Sequence, residues 1–213
     1  MKFFAVLATI GAVATTMATA KPHLGEETKT LDELHAEAIA EGAKLVIYAG
    51  GDVDSQQDSL RNAWKAAYPD VNLTIVVDYS KYHDVRINNQ LARDRLVPDI
   101  AFLQTLQNFP RWASRGDLLE YKPAGFSEIY EGAKDPKGAW MSHTMISFGF
   151  SYDAAQLGDL PAPTSPLDLV DPKWAGKIAS AYPNDDDATL FVYTQYVKKY
   201  GWDWLEKFAQ QQI

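Results

Sequence analysis

The spacing of apolar and polar positions changes several times along the chain. Leu31, Leu34, Ala38 and Ile39 recur at helical spacing, and Thr30-Leu31-Asp32-Glu33 ahead of them has the form of a capping box. Gly42 ends that pattern, and residues 45–49 (LVIYA) form a short apolar, β-branched run closed by Gly50-Gly51. A helical face (Leu60, Ala63, Trp64, Ala67) follows and stops at Tyr68-Pro69-Asp70, where proline cannot continue the ladder. Residues 71–77 (VNLTIVV) are a second strand, and the spacing between the two predicts a parallel strand-helix-strand unit. A polar, aromatic loop over 78–82, a helix over 85–96 and a third strand over 100–103 come next. This alternation predicts a doubly wound α/β domain.

Beyond a helix over 106–116 the pattern loosens. Gly116-Asp117-Leu118-Leu119 is a turn into an irregular stretch reaching Lys137. Residues 140–152 (WMSHTMISFGFSY) are apolar and β-prone, too long for an edge strand of a small sheet, and predict a strand crossing into a second lobe. Residues 160–172 carry four of the chain's 11 prolines and predict an extended connector. A strand over 178–181 and helices over 188–200 and 202–212 complete the expectation.

The end of the first strand is the natural place for a ligand. In an open parallel sheet ligands collect at the carboxyl ends of strands. Gly50 and Gly51 let the backbone approach a ligand closely, and the N–H groups opening the next helix favour an anion beside Asp52. The alternative is a glycine turn without a ligand. Tyr79, Tyr82 and Gln104 belong to the same sheet edge.

Composition narrows the function. Lys2, the apolar run over 3–13 and Ala18-Thr19-Ala20 match a secretory signal, giving a signal over 1–20 and a polar leader over 21–29. The apolar run is too short for an anchor, so no membrane insertion is expected after its removal. The full chain carries a formal charge of −8, which argues against nucleic acid or an anionic membrane as partner. With no cysteine, a disulfide scaffold, a thiolate nucleophile and a Cys-ligated metal are excluded. Asn72-Leu73-Thr74 is a glycosylation sequon that matters only in a eukaryotic host.

Several pieces in shared order carry a resemblance: residues 34–51 (LHAEAIAEGAKLVIYAGG), 98–102 (PDIAF), 116–119 (GDLL), 148–153 (FGFSYD), 166–169 (PLDL) and 171–178 (DPKWAGKI). Together they resemble the type II periplasmic binding proteins, in particular the iron(III), thiamine and phosphonate branch of extracellular solute-binding proteins. The resemblance implies an α/β fold of two lobes. The first, over 30–145, is doubly wound and complete in part; the second, over 146–213 with the crossing strand, is incomplete. It further implies a secreted protein that holds a small solute or metal ion in the interlobe cleft, with an ABC-type permease as partner and no cofactor. Gly50, Gly51, Asp52, Tyr79, Tyr82 and Gln104 would line one wall, and Tyr182, Asn184, Asp185, Asp186 and Asp187 the other. Family members continue further to finish the second lobe, so a truncated or reduced derivative without ligand binding is a competing expectation.

Three consecutive aspartates in the second wall depart from the small and hydroxyl residues usual there. Any of them can cap the helix behind it, and one facing the cleft would favour a cation, or a zwitterion whose acid end meets the glycines. No adjacent Tyr-Tyr pair is present, so iron ligands do not carry over. His23, His35, His83 and His143 lack metal-ligand spacing; His83 is expected at the cleft edge or in a solvated loop. No nucleophile elbow, phosphate loop or dinucleotide fingerprint occurs. The enzymatic alternative is a hydrolase built on Asp52, Asp54 and Asp187.

Overall fold

The structure, a computed structural model, describes residues 25–213; the expected signal, the first leader residues and His23 lie outside them. Helix α1 spans Leu31–Ala40 and begins in the expected capping box, with Glu33 donating its N–H to the Thr30 hydroxyl at 3.2 Å and Thr30 donating its own to the Glu33 carboxylate at 2.8 Å. Gly42 then takes φ +113°, a conformation costly for other residues, and turns the chain into the sheet.

Strands β1 (Lys44–Gly50), β2 (Asn72–Asp78) and β3 (Ile100–Phe102) form one parallel sheet in the order β2-β1-β3. The register runs from Lys44 opposite Asn72 to Gly50 opposite Asp78, and Ile47 to Ala49 face Ile100 to Phe102. Successive side chains of β1 point to opposite faces, so the central strand feeds two cores. Ile47 and Ala49 pack with Ile75 on one face, while Tyr48 packs with Ile87, Leu103 and Trp112 on the other. Trp112 is tolerated at 1% exposure because its indole N–H donates to Asn88 at 3.0 Å. Asp99 fixes the third strand: its N–H donates to Val46 O and its carboxylate accepts from Val46 N–H, both at 2.8 Å.

Helices α2 (Asp58–Ala67), α3 (Ser80–Leu91) and α4 (Asn108–Arg115) connect and follow these strands. Two boundaries differ from the sequence reading. A 3-10 turn over Asp54–Gln57 separates α2 from the glycines, and α3 begins at Ser80 rather than residue 85, so the expected loop over 78–82 is the end of β2 and the start of a helix. Gly116 closes α4 in the left-handed conformation at φ +75°.

The remainder differs more. Residues 140–152 form no strand: Met141 makes an isolated bridge to Lys134, flanked by hydrogen bonds from Asp135 N–H to Trp140 O at 2.9 Å and from Ser142 N–H to Ala133 O at 2.7 Å, and His143 meets Phe102 edge to face, 4.6 Å between ring centres. Beyond that bridge the expected crossing strand has no ladder partner among the described residues. Residues 178–181 likewise form no strand. Order returns in α5 (Asp187–Tyr200) and α6 (Trp202–Ala209), which enclose Trp204, 3% exposed and stacked on Phe208 at 5.0 Å. The proline-rich connector is fastened to this pair, with Trp204 donating to Pro166 O at 2.8 Å and Gln211 to Val170 O at 3.0 Å.

Candidate functional site

At the carboxyl end of β1 the backbone donors are already engaged. Gly51 N–H donates to Asp78 O at 3.1 Å, prolonging the ladder. The N–H groups of Asp52 and Val53 both donate to the Gln56 side-chain carbonyl, the latter at 3.0 Å. The expected anion cradle therefore holds an amide oxygen of the chain itself. Both glycines have packing reasons: a Cβ on Gly50 would overlap the Ser80 hydroxyl, and one on Gly51 would lie 2.6 Å from Gln56 Oε1 and 2.7 Å from Val77 Cγ1. The Ser80 hydroxyl accepts the Gln104 N–H at 2.9 Å, so Gly50 lets α3 close onto both β1 and the loop after β3. The Asp52 side chain stands exposed at this corner, and the Gln104 side chain is exposed beside it.

The start of α3 is braced from below. Asp78 pairs with Arg86 at 2.8 Å and accepts the Tyr79 N–H at 2.9 Å. Burial is the largest single influence on this carboxyl and pushes upward, but the Arg86 hydrogen bond and charge with the Tyr79 N–H outweigh it and hold it below the ordinary range. His83 is neither a cleft nor a solvent residue. It is fully buried, stacked on Tyr48 at 4.7 Å with Nδ1 3.1 Å from Arg86, and burial with the Arg86 charge lowers its pKa despite Asp78. The ring is a core element through which α3 packs on β1.

On that base, Tyr79 and Tyr82 meet edge to face, 5.6 Å apart at 88°. The Lys81 ammonium lies 5.5 Å from one ring centre and 5.6 Å from the other. The same nitrogen donates to Asn184 O at 2.8 Å and to the Asp185 carboxylate at 3.2 Å. Asp185 is the main reason the Lys81 pKa is raised, with burial opposing.

The acidic loop places its three carboxylates in three different settings. Asp186 caps α5, accepting the Thr189 N–H at 2.8 Å. Asp185 pairs with Lys81. Asp187 is half-buried, and burial raises its carboxyl above the usual range; Lys81 draws it back, while Asp186 and Asp84 add to the rise. Tyr182 is 75% exposed, and its carbonyl accepts the N–H groups of Asp185 and Asp186, both at 3.0 Å.

The geometry thus gathers Tyr79, Tyr82, Asn184 and Asp185 around one ammonium, with Asp187 beside it. Gly50, Gly51 and Gln104 form a neighbouring group joined through Ser80. Tyr182 is present at the loop but turned to solvent. Sequence reasoning did not single out Lys81 or Ser80; the visible signal was a lone lysine between two tyrosines on the same edge as an acidic loop. Among the described residues no three His, Asp or Glu side chains come together as a metal site. Asp54, considered for hydrolysis, is engaged by Arg61 at 2.8 Å. A separate apolar groove of about 210 Å³, lined by Ile129, Tyr130, Ala133 and residues 142–145, includes none of the predicted wall residues.

No described helix is long and apolar enough to cross a membrane. A search among curated proteins gave no match. Residues 98–212, just over half of the chain, match the family of bacterial extracellular solute-binding proteins, a non-enzymatic family, and the chain belongs to it.

Proposed function

Taking that membership as the premise, we propose that the chain is a secreted solute-binding protein of the iron(III), thiamine and phosphonate branch, without enzymatic activity of its own. It holds a small solute where the start of α3 meets the loop over 182–187, and delivers it to an ABC-type permease. The observation that carries this reading is the Lys81 contact with Asn184 and Asp185, which joins segments 103 and 104 residues apart. Two segments so far apart in the chain that meet at one nitrogen suit the opposite walls of a solute-binding cleft. Aromatic rings, a main-chain carbonyl and carboxylates at that junction suit recognition of a small polar molecule.

The hydrolase alternative receives no support from the site, since Asp54 is tied to Arg61 and Asp52 stands exposed at a corner whose donors are filled. The test is a thermal-shift panel of iron(III), thiamine, phosphonates, polyamines and sugars on the purified protein. One class should stabilise it saturably, by about 2.7 kcal/mol at a hundredfold excess over Kd. A folded protein that shifts with none of them overturns the proposal.

A further inference from the structure

We infer that the place where the Lys81 ammonium rests is a subsite for a primary aliphatic ammonium group of the solute, and that Lys81 is its internal occupant in the solute-free chain. The inference rests on the solute-binding reading above and gives it a ligand class. Two segments far apart in sequence converge on one nitrogen with complementary chemistry: a carbonyl at 2.8 Å, a carboxylate at 3.2 Å and two tyrosine rings within 5.6 Å. A primary ammonium has three donors, and the carbonyl and carboxylate accept two of them while the rings attract the charge. A quaternary ammonium has no donor to give and forfeits both hydrogen bonds. A hard divalent ion needs six or more oxygens, and among the described residues no three His, Asp or Glu side chains come together to hold one.

Four of the donors an anion would use at the two walls are engaged within the chain. The donors at the glycine corner end on Asp78 O and Gln56 Oε1, and the Thr189 N–H of α5 ends on Asp186. Lys81 itself is a displaceable plug. Its partner Asp185 has a side chain 74% exposed, and an exposed ion pair contributes little to stability. The lysine is tethered by its own flexible stem at the second position of α3, so it can swing into solvent when a solute amine arrives. If the tether keeps the subsite filled nine times in ten, a competing amine binds about tenfold more weakly than to the open site.

The experiment is calorimetric titration of the wild-type protein and the Lys81→Ala variant with propylamine and 1,4-diaminobutane, using propanol and tetramethylammonium as controls. Lys81→Ala should bind both amines about tenfold more tightly than wild type and ignore both controls, and adding Asp185→Asn should remove the gain. In the wild-type protein, saturation with the diamine should raise acylation of Lys81 relative to the other lysines of the same sample, read by mass spectrometry. The inference fails if Lys81→Ala binds amines no better than wild type, if propanol binds as well as propylamine, or if Lys81 acylation does not rise. Should the protein instead take up an anionic or uncharged solute that depends on Lys81, the inference falls while the solute-binding reading stands. No saturable binding of any solute removes both.

Discussion

Ile75 and Ile146 both sit in β-prone runs, yet the first is 7% exposed and the second 61%. Ile75 belongs to β2, whose backbone pairs along its length with β1, and its side chain reaches Ile47 and Ala49. Ile146 lies in a run where Met145 is 78% and Phe148 48% exposed, with no ladder partner among the described residues. The difference teaches that β-propensity is a statement about fit to a neighbouring strand. A helix satisfies its own backbone, which is why α5 and α6 form in the same region where the expected strands do not. The molecule therefore joins a sheet-based half to a helical half, and the candidate site lies where α3 of the first meets the cap of α5 in the second.

The largest expected effect that sharpens this contrast is in the core. Trp112→Ala should cost about 3–5 kcal/mol in urea unfolding, whereas Ile146→Ala should stay within about 0.5 kcal/mol. Equal losses would break the comparison, because they would mean that the extended run is packed in solution. Next, Gly50→Ala should destabilise by about 1–3 kcal/mol through overlap with the Ser80 hydroxyl, and Ser80→Ala in the same chain should return part of that loss. An additive double variant would show that β1 and α3 do not meet as described.

Asp186→Ala removes the cap of α5 and should cost about 1 kcal/mol, read as a shift of the thermal midpoint. The smallest effect concerns pH. The folded-state pKa of His83 is depressed, so its contribution to stability is complete above the ordinary value of 6.5 and is lost as pH falls through the folded value. Asp78 is also depressed, and its contribution is lost only below its ordinary 3.8, which separates the two windows. His83→Phe keeps a ring against Tyr48 and should flatten the stability curve just below pH 6.5; an unchanged slope there would assign it to another group.

Much of the sheet half was legible because its signals are local. The capping box at Thr30 and Glu33, the stop at Tyr68-Pro69 and the left-handed Gly116 each act within a few residues. The parallel pairing of β1 and β2 followed from the length of the connection between them. The start of α3 was misplaced because Tyr79-Ser80-Lys81-Tyr82 has the composition of a loop, and only the buried His83 on Tyr48 shows why it coils. The expected strands over 140–152 and 178–181 had suitable residues but depended on partners that no local pattern can supply. In the site, the cap by one aspartate was legible from residue type. The filling of the glycine corner by Gln56 and of the acidic wall by Lys81 was not, since each depends on where a side chain reaches rather than on where it stands in the chain.

The central claim is that the start of α3 and the loop over 182–187 are two walls of one solute site. Hydrogen exchange of the purified protein, with and without the solute that most raises its thermal midpoint, tests it most directly. Amides over 79–83 and 184–190 should gain protection together and at the same solute concentration. Protection confined to one segment, or appearing only around the groove of Ile129, Tyr130 and Met145, would contradict it.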